Sequence, residues 1–356
     1  MSAPLHVAVV GLGIGQAHVW AYQQLPDHFR VVAVCDPDES RTTEVVERQN
    51  VPKAFADLGE LLAAEAVDVV SVCTPPHLHL EQCRQILATG RHVVCEKPLV
   101  GSLADLDALE RDEKVSAGRV MPIFQYRFGA GIQRLRHLVD RSVTGRAYLS
   151  TVETAWSRGA DYYAAPWRGR WDTERGGVLL SHATHAHDLL SFVVGPVASV
   201  FARTTTRVNP IETEDCASAA LEMNDGSLAT LAATLGSHVE ISRLRFCFEN
   251  LTAESCLAPY SPGADPWQIT ARDDSAQAQI DAALADFDPG AEAYVGQFAR
   301  LAESLAEGSS FPVTLADARA SLALVTALYH SSETGSPVTL PLGPDHPKYR
   351  SWLPTL

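Results

Sequence analysis

Short apolar runs recur through the first third of the chain. Leu5–Val10, Val31–Cys35, Val67–Cys73, His92–Cys95 and Val120–Phe124 are rich in Val and hydrophobic on both faces. Parallel strands covered by helices on both sides read this way. Between them, Gln16–Leu25, Ser40–Gln49, Leu58–Ala64, Leu78–Thr89 and Ser102–Ala117 read as helices, with Ser40 and Ser102 as expected N-caps and Gly90 and Gly118 as stops. The alternation predicts a doubly wound α/β domain over residues 1–123.

The pattern then changes. Gly129–Asp140 predicts one helix, Ala147–Trp156 alternates as a strand, and 157–175 reads as a long loop rich in Gly, Arg and aromatics. Gly177–Val194 is apolar with polar residues at helical spacing. Strands are expected at 197–207, 215–223, 227–235 and 243–249, with Asp225-Gly226 turning between two of them. Residues 258–266 form a turn-rich loop, and Glu292–Glu307 and Ala316–Thr334 read as helices. Consecutive strands joined by short turns predict an α+β domain over 124–356 with a mostly antiparallel sheet. The tail from Gly335 carries five prolines and is expected to run over the surface.

A chain of 356 residues fits about two domains. The balance of 28 Lys+Arg against 43 Asp+Glu gives −15, which argues against nucleic-acid or membrane-surface partners. The N-terminal run leads straight into glycines, as a first strand does and a signal peptide does not. No apolar stretch is long enough to span a bilayer. Seven cysteines, with no CxxC, fit buried thiols in a reducing compartment, so a cytoplasmic protein is expected.

Gly11, Gly13 and Gly15 follow the first strand and open the first helix, with Leu12 and Ile14 between them. Such a turn lets backbone N–H groups approach a pyrophosphate at a helix N-terminus. The spacing is GxGxG, one residue short of the usual fingerprint, and a plain strand-to-helix turn is the competing reading. Asp36 ends the second strand, 21 residues after Gly15, where a carboxylate meets the adenosine ribose of a dinucleotide. It favours NAD. Arg41 nearby keeps NADP possible.

Further motifs are Thr74-Pro75-Pro76-His77-Leu78-His79, then Cys95-Glu96-Lys97-Pro98-Leu99, and Gly176-Gly177 followed by His185 and Asp188. With the glycine turn, they resemble the glucose–fructose oxidoreductase / inositol dehydrogenase (Gfo/Idh/MocA) family over nearly the whole chain. The resemblance implies a Rossmann domain followed by an open-faced sheet domain, and NAD(P)-dependent oxidation or reduction of a sugar or polyol. It places Thr74, Pro75 and His79 along the cofactor crevice, Glu96 by the nicotinamide ribose and Lys97 in the active site, with a Lys97–Pro98 bond that is cis in relatives. His185 matches the family's catalytic histidine. Trp167-Arg168 takes the place of a Trp-Arg pair beside the nicotinamide, and Tyr126-Arg127 that of a segment near the domain junction. Homodimers or homotetramers assembled through the open sheet are implied.

At about 100° per residue, Ser181, His182, His185 and Asp188 fall broadly on one helical face. Ser181 stands where the family has an aspartate. A metal reading of His182, His185 and Asp188 has no Cys nearby to support it, and His187 points away from His185 on a helix. A structural reading, as buried helix histidines, suits His187 and extends to His182. Residues 161–171 combine Tyr162, Tyr163, Trp167, Trp171, Arg168 and Arg170, able to stack on a sugar ring or to form an interface. The expected activity is hydride transfer between a secondary alcohol of a sugar, polyol or glycoside and NAD. His185 would act as base, and Lys97 would hold the reacting oxygen. Tyr126, Arg127, Tyr163, Ser181 and His182 would line the substrate. Two other readings stand beside it: an NAD-retaining glycosidase or lyase that works by transient oxidation, and a non-catalytic NAD-binding sensor.

Overall fold

A computed structural model describes residues 3–354. The chain divides into two compact units, Met1–Ile123 with Tyr294–Arg319, and Phe124–Ala293 with Ala320–Leu356. The assignment of 294–319 thus differs from a single cut at residue 123.

The first unit runs β1 (Leu5–Val10), α1 (Gly15–Gln23), β2 (Phe29–Cys35), α2 (Glu39–Gln49), β3 (Ala54–Phe55), α3 (Leu58–Ala64), β4 (Val69–Val72), α4 (His79–Leu87), β5 (His92–Cys95), α5 (Leu103–Val115) and β6 (Val120–Pro122). Its six strands are parallel in the order β3-β2-β1-β4-β5-β6. This is the doubly wound arrangement that the alternating pattern predicts. All four residues of β4 are buried, which explains why that strand shows no polar face. Strand order reverses between β1 and β4, and ligands bind beyond the strand ends at such a point. Ser102 caps α5, accepting the Asp105 N–H at 3.0 Å. At α2 the cap is Asp38 rather than Ser40: its Oδ1 accepts both the N–H and the hydroxyl of Ser40.

Residues 294–319 join this unit through aromatic packing. Within α10 (Ala293–Glu307), Phe298 is fully buried and stacks on Tyr22 at 4.1 Å. Gln297 Nε2 donates to the Pro122 carbonyl at 2.7 Å. These contacts link positions far apart in sequence, so the local pattern carries no trace of them.

The second unit contains α6 (Ala130–Asp140), β7 (Ala147–Ser157), the short α7 (Ala160–Tyr163) and α8 (Thr184–Val194). β8 (Val197–Thr205), β9 (Cys216–Met223), β10 (Leu228–Thr234), β11 (Gly236–Phe248), β12 (Leu251–Glu254), β13 (Gln268–Ala271) and α9 (Asp274–Leu284) follow. After α11 (Leu315–Thr334) comes β14 (Val338–Thr339). The eight-stranded sheet, β13-β12-β11-β7-β10-β9-β8-β14, is antiparallel except where β10 lies parallel to β7. β10 alternates strictly, with Ala229, Leu231 and Ala233 buried and Leu228, Thr230 and Ala232 exposed, so one face is covered and the other open.

The tail departs from the surface course expected of it. Val338 and Thr339 pair with β8. Trp352 is 2% exposed, and its indole N–H donates to the Arg175 carbonyl at 2.7 Å. The prolines stop regular structure without preventing docking. Among the described residues, no helix is long and apolar enough to cross a membrane.

Candidate active site

The glycine turn sits at the β1 end of the first sheet. Gly11 has φ +86°, and a Cβ there would lie 2.7 Å from the backbone of Cys73 and Thr74. Only glycine tolerates both constraints. A Cβ on Gly15 would meet Val9 at 2.9 Å, which lets α1 lie close on the sheet. Gly13 differs, with nothing within 4 Å of its Cβ position. The first turn of α1 has no side-chain cap, leaving its N–H groups for an anion. The Gly11 N–H donates to the Cys35 carbonyl at 2.8 Å, so Gly11 and Leu12 shape the turn, while the open flank of Gly13 and the uncapped start of α1 from Ile14 and Gly15 fit the pyrophosphate of a dinucleotide.

Asp36 is buried, and its Oδ2 accepts the Leu12 N–H at 2.8 Å while Oδ1 accepts the Asp38 N–H at 3.0 Å. The carboxylate therefore orients the glycine turn directly. Each oxygen keeps a lone pair for a ribose hydroxyl. Arg41, the group that would favour NADP, pairs with Asp38 at 3.3 Å on the surface.

After β5, the Lys97–Pro98 peptide is cis. The buried Glu96 carboxylate accepts from three sides. His18 Nε2 lies 3.2 Å from Oε1, the Tyr294 hydroxyl donates to Oε1 at 2.7 Å, and the Lys97 N–H donates to Oε2 at 3.1 Å. Burial alone would raise its pKa. The His18 hydrogen bond and charge, Lys97 and Tyr294 outweigh it and bring the value down to about 2. Glu96 is a fixed anion that braces the start of the Lys97–Pro98 turn. His79 is fully buried, with Nδ1 and Nε2 each 2.8 Å from a carbonyl, those of Pro98 and Thr74. It thus ties the segment after β4 to the turn after β5, while the Thr74 hydroxyl donates to Gln82. Pro75 stands just ahead of the short helical turn 76–78.

In the second unit, the histidine segment is not one continuous helix. Val178–His182 forms a π-turn, with the Ala183 N–H reaching the Val178 carbonyl at 2.8 Å, and α8 starts at Thr184. The extra residue in this turn shifts the phase expected from a uniform helix. His182 accordingly packs by Trp156 and Tyr162, at 5.6 and 5.4 Å between ring centroids. His185 lies by Tyr126 at 4.5 Å and edge-on to Phe124 at 6.3 Å. His187 is buried, and burial pushes its pKa down to about 4, as befits a core histidine. The Ser181 hydroxyl donates to the Gly176 carbonyl at 3.3 Å. Arg127, expected at the substrate, makes a buried two-bond pair with Asp188 at 2.7 and 2.6 Å. That pair ties the segment before α6 to α8.

Around the aromatic loop, three guanidiniums face carboxylates. Arg158 pairs with Glu240 at 2.7 Å, and Arg168 lies 3.6 Å from Glu174 and over the rings of Tyr162 and Trp167. Arg170 lies 3.4 Å from Asp172. Tyr163 packs against the buried cluster of Trp156, Val178, Ala183, Ala233 and Leu235.

Three important residues had no signal singled out in the sequence. His18 and Tyr294 reveal themselves only as partners of Glu96. Glu214 lies in Glu212-Thr213-Glu214-Asp215, where three carboxylates in four residues directly precede a strand, and that density is a readable sign.

A family model described as an oxidoreductase family with an NAD-binding Rossmann fold matches residues 5–124, and the GFO/IDH/MocA C-terminal domain matches 132–254. A myo-inositol 2-dehydrogenase of Thermotoga maritima is 28% identical over 56% of this chain and 58% of its own length. A D-glucoside 3-dehydrogenase of Escherichia coli is 31% identical over 54% of this chain and 55% of its own. The chain therefore matches less than two thirds of the length of either relative. Among solved structures, the WlbA dehydrogenase of Bordetella pertussis in complex with NADH and UDP-GlcNAcA is 28% identical, with a TM-score of 0.82 over 96% of this chain and 100% of that one. With both of its domains matched, the chain belongs to the GFO/IDH/MocA oxidoreductase family.

Proposed function

We propose that the protein is an NAD-dependent dehydrogenase acting on a secondary alcohol of an uncharged sugar, polyol or glycoside. The observation that carries the reading is the glycine turn, where an uncapped helix start and the open flank of Gly13 offer room for a pyrophosphate and Asp36 offers acceptors for a ribose. Bound NAD supplies the acceptor for the hydride that leaves the carbinol carbon. His185 takes the hydroxyl proton as general base. Lys97 donates to the same oxygen and stabilises the negative charge that develops on it. Trp167, Arg168, Tyr126, Tyr163, Ser181 and His182 contribute to the walls around cofactor and substrate. Glu96 and His79 hold the Lys97–Pro98 and Thr74 segments in place.

The carboxylate partners of Arg158, Arg168 and Arg170 support an uncharged substrate, since an acid group would compete with protein carboxylates for each guanidinium. The dehydrogenases of inositol and glucosides among its relatives act on compounds of this class. Assembly as a homodimer or homotetramer through the open sheet face, and a cytoplasmic location, complete the proposal.

The test is calorimetric titration with NAD and NADP, followed by NADH absorbance with a panel of inositols, glucosides, anhydrosugars, free aldoses and uronic acids. Preferential NAD binding and reduction by a neutral polyol or glycoside are expected. NAD binding without reduction by any of them, or turnover of uronic acids alone, would overturn it.

A further inference from the structure

The Gly176-Gly177 pair and the π-turn that follows, which carries Ser181 and His182, are held by one buried acid. Glu214 is 3% exposed. Its Oε2 accepts the Gly177 N–H at 3.0 Å. Its Oε1 accepts the Leu179 N–H at 3.0 Å and the Tyr329 hydroxyl of α11 at 2.9 Å. Its own carbonyl accepts the Val178 N–H at 2.9 Å. Three successive amides of the turn thus end on one residue.

The two glycines are the steric counterpart. A Cβ on Gly177 would fall 1.7 Å from the Glu214 carbonyl oxygen, and one on Gly176 would fall 2.4 Å from the Tyr329 hydroxyl. Both are needed for the acid and the phenol to come this close. The turn leads directly into α8, whose start has no side-chain cap and whose second residue is His185. Because α8 has no cap of its own, the register and direction of its first turn are set by the turn before it.

We infer that Glu214 is a positioning residue: its carboxylate, through the Gly176–His182 turn, sets the placement of the His185 imidazole. The inference rests on the reading of His185 as the base, but it concerns the geometry of the turn and is testable without turnover. Burial raises the Glu214 pKa to about 7, and what the three donors require is a pair of carboxyl oxygens rather than an amide. A neutral amide at this position cannot satisfy all three, because its NH₂ would face either the Gly177 N–H or the pair from Leu179 and Tyr329. The neighbouring carboxylates have their own tasks. Glu212 accepts the Trp171 N–H at 3.1 Å, and Asp215 accepts the amides of Arg207, Val208 and Asn209. Neither is spare to replace Glu214.

The experiment uses the full chain labelled with ¹³C-histidine, the His185 ring signal being assigned with His185→Gln. In Glu214→Gln, that signal should shift or broaden, and amide exchange over 177–185 should accelerate by at least about tenfold. NAD affinity by calorimetry should stay within about twofold, as should exchange in β8 and β9. Tyr329→Phe removes one donor and keeps both amides bonded, so it should give a smaller change in the same direction and covers the case in which Glu214→Gln fails to fold. With whichever substrate of the panel turns over, Glu214→Gln should lower kcat and leave the KM for NAD unchanged. An unmoved His185 signal with unchanged exchange over 177–185 would overturn the inference. So would uniform loosening of the whole second unit. If His185→Gln retained full turnover, the assignment of the base would fail while the His185 signal still decided the role of Glu214.

Discussion

The glycine turn after β1 and the π-turn before α8 solve the same problem by different means. Each presents a functional group at the start of a helix that lacks a side-chain cap. In the first, the backbone itself is the proposed binding surface, and its shape is set by glycines two residues apart and by one carboxylate, Asp36, at the end of the next strand. In the second, the backbone only carries the histidine, and its shape is set by Glu214, 37 positions downstream of Gly177, and by Tyr329 in α11. A site built from local backbone conformation leaves its mark in a few consecutive residues. A site built by distant side chains bonding to backbone amides does not.

The largest effect expected on this contrast comes from the histidine. His185→Gln should lower turnover by about 10²–10⁴-fold and leave NAD affinity within about twofold. Substantial loss of NAD binding would mean that the two regions are not separable in function.

Next are the glycines. Gly11→Ala places a Cβ against the Cys73–Thr74 backbone at positive φ and should destabilise the fold by about 1–3 kcal/mol. NAD binding should weaken with it. Gly13→Ala meets open space, so the melting temperature without cofactor should hold while NAD affinity falls. Calorimetry beside thermal unfolding separates the two, and equal loss of stability in both variants would break the account of the turn.

Tyr294→Phe tests how Glu96 is held. The Glu96 pKa is lowered from 4.5 to about 2, so its contribution to stability is present above pH 4.5 and is lost as pH falls toward 2. Removing the Tyr294 donor leaves His18 and Lys97 to hold the anion, so its folded-state pKa rises, its contribution shrinks, and acid unfolding should set in at higher pH. Acid unfolding followed by circular dichroism checks the sign. The smallest effect belongs to Arg41→Ala: its partner is a surface carboxylate, and NAD affinity should change by no more than about twofold.

The sequence showed the first unit well because its strands are uniformly apolar and its turn is glycine-coded. Asp36 stands out by its place at a strand end, and Glu96 and Lys97 by the Glu-Lys-Pro motif that carries the family resemblance. What lay hidden were contacts across long separations, such as Phe298 on Tyr22 and Tyr294 on Glu96. The histidine segment misled by its regularity. Helical spacing put Ser181, His182 and His185 on one face, and the π-turn, invisible to a 3.6-residue period, moved them to different neighbours. The two strands on either side of the turn-rich loop 258–266 carry no signal for a similar reason. β12 and β13 are only four residues each, too short to establish an alternation.

The central claim is that the protein moves a hydride from a carbinol carbon to nicotinamide C4, with His185 taking the proton. The most direct measurement follows deuterium from perdeuterated myo-inositol, methyl glucosides and anhydrosugars into NADH by NMR, comparing the natural chain with His185→Gln. Label at C4 is expected with the natural chain, and labelling slower by about a hundredfold or more with the variant. Label appearing equally fast in both, or bound NAD that none of these compounds ever labels, would contradict it.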